Sequence, residues 1–270
     1  MCEADGARHC RRHARWRRAY EGRTAAATAL TGALPEGLRV LADLEVEIDP
    51  AEVLRFQGYK QGGEAPPPEV LALFDEALAL GRRLMAPRAV AAWLPVSARE
   101  GDRLTLDVTT LSIPGIREAW GTITHVAPAV CTIGEALERT VSELWAAREL
   151  PLAAMLDSVG SGAVESLAEY VNDLLCGEAV RAGVKATNRI SPGYARWNLA
   201  EQPHLFRLCP ADAIGVRLNE AVFMSPVKSI SLLVGAGPEA RVDHYFAQCA
   251  RCWMRECAYR RVPARRTVHR

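Results

Sequence analysis

Apolar residues in this sequence follow two different periods, in an order that never becomes regular. Residues 44–48 and 104–109 alternate apolar and polar side chains, which predicts half-buried strands. Residues 70–84 and 135–148 carry apolar side chains every three or four positions, which predicts amphipathic helices. No segment repeats, and helices and strands do not alternate regularly. The sequence therefore predicts an α+β fold, with helices packed against a largely antiparallel sheet.

Further elements follow from local signals. Asp49 and Pro50 read as a helix N-cap followed by proline at the first helical position, and this short helix should end at Gly58. An apolar run over residues 126–133, ended by Gly134, predicts another strand. Past Gly160 and Ser161, apolar residues at helical spacing predict a helix through Leu175. Later strands are expected at residues 216–224 and 229–234, joined by a turn around Pro226.

Charge divides the chain into a body and two basic ends. Residues 1–23 carry seven arginines against three acidic residues, and residues 249–270 carry seven arginines against one. Because the whole chain has a net charge of +1, the remaining body is acidic. We expect a disordered basic extension over residues 1–36, one domain over 37–245 and a Cys-rich basic tail over 246–270. Such tails bind nucleic acid or an acidic partner protein, or are simply solvated.

Hydropathy argues for a protein without a membrane anchor. No run approaches the roughly 18 apolar residues of a membrane span, and the arginine-rich first twenty residues lack the apolar block of a secretory signal. We therefore expect a cytoplasmic location. In that compartment the eight cysteines read as thiols or metal ligands and not as disulfides.

Residues 188–202 contain the strongest candidate for a binding loop. Arg189, Ser191, the Pro192-Gly193 pair and Tyr194 lie within six residues of one another. Proline fixes its own φ, and glycine adopts backbone angles closed to other residues, so the segment should form a shaped turn. Arginine offers a planar fork of donors for a carboxylate or a phosphate, and tyrosine offers a flat face with a hydroxyl. The alternative is a turn that only connects two elements.

This loop resembles the S-adenosylmethionine-binding loop of the activation domain of cobalamin-dependent methionine synthase. It is still more similar to the stand-alone proteins related to that domain. The similarity extends from about residue 40 to about residue 260. The segments that carry it are Leu54–Tyr59, Thr132–Gly134, Leu156–Ser161, Ile214–Glu220 and Met224–Ser231.

The resemblance implies a single bent domain around a twisted antiparallel sheet, and it implies roles for five residues. Arg189 would bind the carboxylate of S-adenosylmethionine and Glu165 its ammonium group. Ser191 and Gly193 would contribute backbone groups, and Tyr194 would pack where ligand and corrin meet. Without the resemblance, Glu165 reads as an exposed helix carboxylate that forms a surface pattern with Glu169, four residues on.

The resemblance also implies a function, namely reductive reactivation of a corrinoid methyltransferase. Cobalt(II) would be re-reduced, and methyl transfer from S-adenosylmethionine would trap the +1 state. The cobalamin would be bound to a partner, either a methionine synthase lacking its own activation domain or another corrinoid protein. Flavodoxin or ferredoxin is the expected electron donor. The chain would be a methyltransferase component that contributes orientation.

Other catalytic classes find no support in the sequence. There is no G-x-G-x-x-G loop, no nucleophile–base triad and no cobalamin-ligating histidine motif. The rival hypothesis is a non-catalytic, metal-stabilised module whose basic tails bind nucleic acid or an acidic partner. The acidic body and the absence of RNA-binding or helix-turn-helix signatures disfavour nucleic acid.

Three cysteines near the C-terminus form a candidate metal site. Cys249, Cys252 and Cys257 fall within nine residues, a spacing that suits zinc or an iron–sulfur cluster. A closed site needs a fourth ligand, for which Cys209, His244, Cys176 or an exogenous group are candidates. The alternative is a set of unligated thiols on an arginine-rich helix.

Overall fold

The computed structural model describes residues 33–59, 65–194 and 197–241. The helices are α1 (Pro50–Phe56), α2 (Pro68–Leu84), α3 (Ile116–Trp120), α4 (Ala136–Ala146), α5 (Leu150–Arg181) and α6 (Gln202–Leu208). The strands are β1 (Leu38–Leu41), β2 (Arg88–Ala92), β3 (Leu94–Pro95), β4 (Ala98–Glu100), β5 (Arg103–Leu106), β6 (Thr109–Ser112), β7 (Gly121–Thr122), β8 (His125–Thr132), β9 (Lys185–Ala186), β10 (Arg217–Leu218), β11 (Met224–Ser225), β12 (Ser229–Gly237) and β13 (Glu239–Ala240). Two 3₁₀ turns, Leu199–Glu201 and Asp212–Ile214, complete the described elements.

The main sheet is antiparallel and is built around β8 and β12. Its strand order is β1-β2-β8-β12-β9, with β3 also paired to β8. The β8–β12 register is continuous from Ser229 opposite Thr132 to Ala236 opposite His125. Smaller sheets consist of β4-β5-β6, of β10-β11 and of β7-β13. The predicted α+β class with a largely antiparallel sheet is confirmed.

Both faces of the main sheet are covered, and alternate residues of each central strand serve opposite faces. Ala127, Ala129 and Cys131 of β8 face the helical layer formed by α1, α2, α4 and α5. Val126 and Val130 belong to a second core, which includes β5, β6, α3 and α6. Because both faces are buried, β8 reads as a continuous apolar run in the sequence.

Helix α5 is the central element of the helical layer, with 32 residues. Its glycines allow close approach of its neighbours: a Cβ on Gly160 would lie 2.7 Å from Leu137 Cδ2 of α4, and one on Gly162 would lie 2.9 Å from Val53 Cγ2 of α1. Gly81 of α2 plays the same part from the other side, since its Cβ would lie 2.7 Å from Val159 Cγ1. Small residues therefore set the distances between these helices.

A buried ionic group joins the edge strand β1 to the C-terminal half of α5. Glu178 is only 5% exposed, and it accepts hydrogen bonds from Nη1 and Nη2 of Arg39 at 2.5 and 2.9 Å. The indole N–H of Trp93 donates to the same carboxylate at 2.8 Å. Together these bonds satisfy a carboxylate that burial would otherwise destabilise.

Several local predictions are confirmed. The Asp49 side chain accepts from the backbone N–H of Ala51 and caps α1, which is followed by Gly58 at φ +94°. Helices α2 and α4 and strands β5 and β8 lie where the sequence periods place them.

Three local predictions are wrong. Residues 44–48 form no strand: Ile48 and Val46 pack against the helical core from an irregular segment that precedes α1. Helix α5 begins at Leu150 and continues through Gly160 and Ser161, because the glycines fit neighbouring side chains instead of ending the helix. Residues 216–224 form the short hairpin β10–β11, with Asn219 accepting from two backbone N–H groups at its tip, and not one strand.

The described residues from Leu34 onward cluster as one compact unit. Residues 1–32 and 242–270, which contain most of the predicted basic extension and all of the Cys-rich tail, lie outside the described residues. Within the described part of the chain, no helix is both long and apolar enough to cross a membrane.

Candidate functional site

The loop that follows β9 is attached to the main sheet next to β12. Ile190 exchanges two backbone hydrogen bonds with Leu233, at 3.0 and 2.8 Å, and Thr187 bonds Gly235 through both its backbone and its hydroxyl. These bonds extend the sheet edge up to the point where the loop turns away. Arg189 therefore comes from a segment whose backbone is held by β12.

The predicted Pro-Gly turn is present in the structure. The backbone N–H of Tyr194 donates to the carbonyl of Ser191 at 3.1 Å, and Gly193 donates to the carbonyl of Trp197 at 2.7 Å. Gly193 has φ +90°, a conformation that other residues rarely adopt, and the nearest atom to an added Cβ would be 3.8 Å away. Glycine is therefore required here by backbone conformation and not by crowding.

Arg189 and Glu165 meet in a partly buried ion pair. Arg189 Nη2 lies 2.7 Å from Glu165 Oε2, and the two side chains are 8% and 24% exposed. A second carboxylate is close, with Glu169 Oε1 at 4.0 Å from the same nitrogen. Helix geometry explains this arrangement, because Glu165 and Glu169 are one turn apart on the same face of α5.

The site lies against the central strand β8, and its charges reach the Cys131 thiol. Burial raises the pKa of Cys131 to about 12, while Arg189 acts to lower it and Glu165 acts to raise it. Both charges are close enough to this strand to act on the thiol. Cys131 is therefore a neutral packing residue beneath the site.

The other predicted residues lie nearer to solvent. Ser191 is half-buried, Gly193 is exposed, and Tyr194 is 68% exposed. The structure thus places a paired guanidinium and carboxylate on the inner side of the loop, and an accessible aromatic ring at its turn.

Two residues of the site were not assigned a role from the sequence. Glu169 was considered only as a surface partner of Glu165, although its spacing on the helix was the signal that both carboxylates share one face. Trp197 is 2% exposed, and its indole nitrogen has no hydrogen-bond partner among the described residues. Its position in the same short stretch as Arg189 and Tyr194 was the available signal.

The predicted metal ligands Cys249, Cys252 and Cys257 lie outside the described residues, as does His244. Residues 33–59, 65–194 and 197–241 contain no group of three or more histidine, cysteine or acidic side chains that could hold a metal ion. Cys209 is fully buried, and its thiol donates to the carbonyl of Val90 at 3.4 Å. Burial raises the pKa of Cys209 to about 12, which opposes the thiolate that a metal requires.

The chain is similar in sequence to a known protein family and in fold to a solved structure. Residues 129–258 match the sequence model of the family described as the vitamin B12 dependent methionine synthase activation domain. The chain also superposes on the crystal structure of the MetH reactivation domain bound to AdoHcy, with a TM-score of 0.61 and 16% identity. That likeness covers 83% of this chain and 88% of the other. No curated protein sequence matches the chain.

The antiparallel sheet, the long helix α5 and the Pro-Gly loop beside it therefore agree with the fold of an activation domain. The matched segment includes the second half of β8, all of α4 and α5, the Pro-Gly loop and β12. Over residues 129–258 the chain matches this activation-domain family, and its fold is that of the MetH reactivation domain, in agreement with the resemblance.

Proposed function

We propose that this protein binds S-adenosylmethionine through Arg189 and Glu165 and supports reductive reactivation of a partner-bound corrinoid. The observation that carries the proposal is the ion pair between these residues beside the Pro-Gly turn. The family match over the same segment supports it. The structural relative bound to AdoHcy supports the choice of ligand.

The charges of the site suit the amino-acid end of such a ligand. An α-amino acid carries one ammonium and one carboxylate, so its insertion would replace the Arg189–Glu165 pair with two new pairs. Arg189 would bind the carboxylate through its donor fork, and Glu165 would accept from the ammonium. The second carboxylate, Glu169, adds negative potential where the ligand carries an ammonium and a sulfonium.

The loop supplies the rest of the proposed site. Ser191 and Gly193 would offer backbone groups to the ligand, and the exposed Tyr194 ring would pack where the ligand meets the corrin. The partner would be a methionine synthase lacking its own activation domain or another corrinoid protein, and flavodoxin or ferredoxin would deliver the electron. The contribution of this chain is orientation of the methyl donor. We propose further that Cys249, Cys252 and Cys257 bind zinc or an iron–sulfur cluster.

The first prediction tests the ligand and the loop together. Arg189→Ala should weaken the binding of S-adenosylmethionine by about 10- to 150-fold, because a hydrogen bond to a charged group contributes roughly 1.5–3 kcal/mol. S-adenosylhomocysteine should lose affinity similarly, since it keeps the same amino-acid end. Calorimetric titration of the purified full chain measures both.

Arg217→Ala is the matched control. Arg217 also pairs with a carboxylate, Asp212, but both side chains are at least 70% exposed, and the variant should bind S-adenosylmethionine normally. If a folded Arg189→Ala protein kept wild-type affinity, the assignment of the loop as the ligand site would be wrong.

A further inference from the structure

A second concave site lies on α5, nearer its N-terminus than Glu165. It is a pocket of ≈390 Å³ between the end of α1, the end of α4 and one face of α5. Its volume lies within the range of small-molecule sites in proteins. It shares no lining residue with the proposed S-adenosylmethionine site.

The polar groups of this pocket are held in place by one another. Gln57 Nε2 donates to the carbonyl of Ala154 at 3.1 Å and to Ser158 Oγ at 2.7 Å. Ser158 Oγ in turn donates to the same carbonyl at 3.1 Å. Both amide hydrogens of Gln57 and the hydroxyl hydrogen of Ser158 are therefore used.

The polar groups on the other side of the pocket are also held in place by hydrogen bonds to one another. Ser161 Oγ donates to the carbonyl of Asp157 at 3.1 Å. Lys228, 11% exposed, donates to Asp157 Oδ1 at 2.7 Å and to Ser161 Oγ at 2.8 Å. This ion pair positions a carboxylate that is itself half-exposed at the pocket.

The groups left over on Gln57 and Asp157 are acceptors. Among the described residues, Gln57 Oε1 and Asp157 Oδ2 have no hydrogen-bond partner, and each can accept from a ligand. The remaining donors are the indole N–H of Trp145 and the third hydrogen of the Lys228 ammonium. A carboxylate has enough lone pairs to serve Lys228 and a ligand donor together.

The walls of the pocket are aromatic. Trp145, at the end of α4, is 49% exposed and lines the opening. The Arg55 guanidinium lies over the Phe56 ring, 4.9 Å from its centroid, so a cation–π contact already exists beside the pocket. Fixed acceptors beside a half-exposed indole suit a positively charged N–H donor on an apolar body.

We infer that this pocket binds a small organic cation, namely a primary ammonium or guanidinium group carried by an apolar or aromatic body. The cation donates to Asp157 Oδ2 and Gln57 Oε1, and the apolar body packs on Trp145. The site is separate from the S-adenosylmethionine site and does not depend on that proposal.

The test uses 2-phenylethylamine and its uncharged analogue 2-phenylethanol on the full chain. We expect saturable binding of the amine by calorimetry, with a shift of the Trp145 indole N–H signal in NMR spectra, assigned through Trp145→Phe. Asp157→Asn should weaken the binding at least about tenfold, the lower end expected for a charge-assisted hydrogen bond. Ala154→Leu should abolish binding by filling the pocket while leaving its charges in place.

Two controls separate this site from its surroundings. Glu143→Gln removes an exposed carboxylate from α4 without touching the pocket, and Arg189→Ala alters only the other site; both should bind the amine normally. Equal binding of 2-phenylethanol would overturn the inference, as would absence of saturable amine binding. Unchanged amine binding by a folded Ala154→Leu protein would do the same. Asp157→Asn decides the matter if Ala154→Leu does not fold.

Discussion

At the residue scale, Arg189 and Glu165 are each other's partners before any ligand arrives. The pair is partly shielded from water, so solvent screens it less than a surface ion pair, and it keeps both side chains in defined positions. Binding of the proposed ligand would therefore exchange existing contacts for new ones, which favours a ligand carrying both charges. A ligand with a carboxylate alone would leave Glu165 without a cation.

The second prediction concerns the two carboxylates of α5. Glu165→Gln should weaken S-adenosylmethionine binding less than Arg189→Ala, by an amount equivalent to about 1 kcal/mol, because the amide oxygen still accepts from the ligand ammonium. Glu169→Gln should have a smaller effect, since Glu169 lies farther from Arg189. The same calorimetric titration measures both variants.

If the two glutamine variants behaved alike and neither changed affinity, the carboxylates would only stabilise the loop. The roles inferred from the resemblance would then not apply to α5.

The sequence predicted the turn at Pro192 and Gly193, but it did not predict that Arg189 pairs with Glu165. Arg189, Pro192 and Gly193 form a local pattern, and the turn follows from their backbone preferences. Glu165 lies 24 residues earlier in the chain, so its distance from Arg189 depends on how α5 packs against β8 and β12. Each side chain was assigned to a different end of the ligand, and direct contact between them was not anticipated.

At the scale of elements, the errors arose where tertiary packing overrode local signals. Residues 44–48 alternate like a strand, yet they lie outside the sheet and pack Ile48 near Gly162 of α5. Gly160 and Ser161 resemble a break in a helix, but Gly160 is a position at which Leu137 of α4 packs closely on α5. Sequence periodicity located helices α2 and α4 and the strands β5, β8 and β12. It could not tell a helix-ending glycine from one that allows close packing.

The third prediction contrasts two helical glycines. Gly81→Ala should lower the free energy of unfolding by about 1–3 kcal/mol, because its Cβ would lie 2.7 Å from Val159 Cγ1, a stiff and fully buried side chain. Gly177→Ala should raise it by about 0.5–1 kcal/mol, the gain in helix propensity, since the nearest atom is the flexible end of Arg181 at 3.4 Å. Urea denaturation of both variants measures the two values. Similar effects from both substitutions would show that α2 and α5 can move apart easily.

At the scale of the whole molecule, buried thiols make the stability of the fold depend on pH in the alkaline range. Cys131 and Cys209 are fully buried, one in each of the two cores, and burial raises both pKa values from 9.0 to about 12. In the unfolded chain these thiols ionise near their ordinary pKa, whereas in the folded chain they stay protonated. The unfolded state therefore loses protons first as pH rises.

The fourth prediction follows from this difference. The free energy of unfolding should be insensitive to these thiols below about pH 8 and should decrease between about pH 9 and pH 12, by about 1.4 kcal/mol per pH unit for each thiol. Urea denaturation of reduced protein at pH 8, 9 and 10 measures the slope. Cys131→Ala should make the slope shallower, even though the variant is less stable at every pH. An unchanged slope would mean that Cys131 titrates equally in both states.

The close packing of α5 also determines the direction in which its functional side chains point. Successive residues of an α-helix are rotated by about 100° around the axis. Asp157 and Glu165 therefore face their proposed sites at only one rotation of α5 about its own axis. Gly81, Gly160 and Gly162 constrain that setting, because an added Cβ at each would lie less than 3.0 Å from a side chain of a neighbouring helix. A substitution at Gly81 or Gly162 would therefore turn both carboxylates together, and the two proposed ligand affinities would decline in parallel.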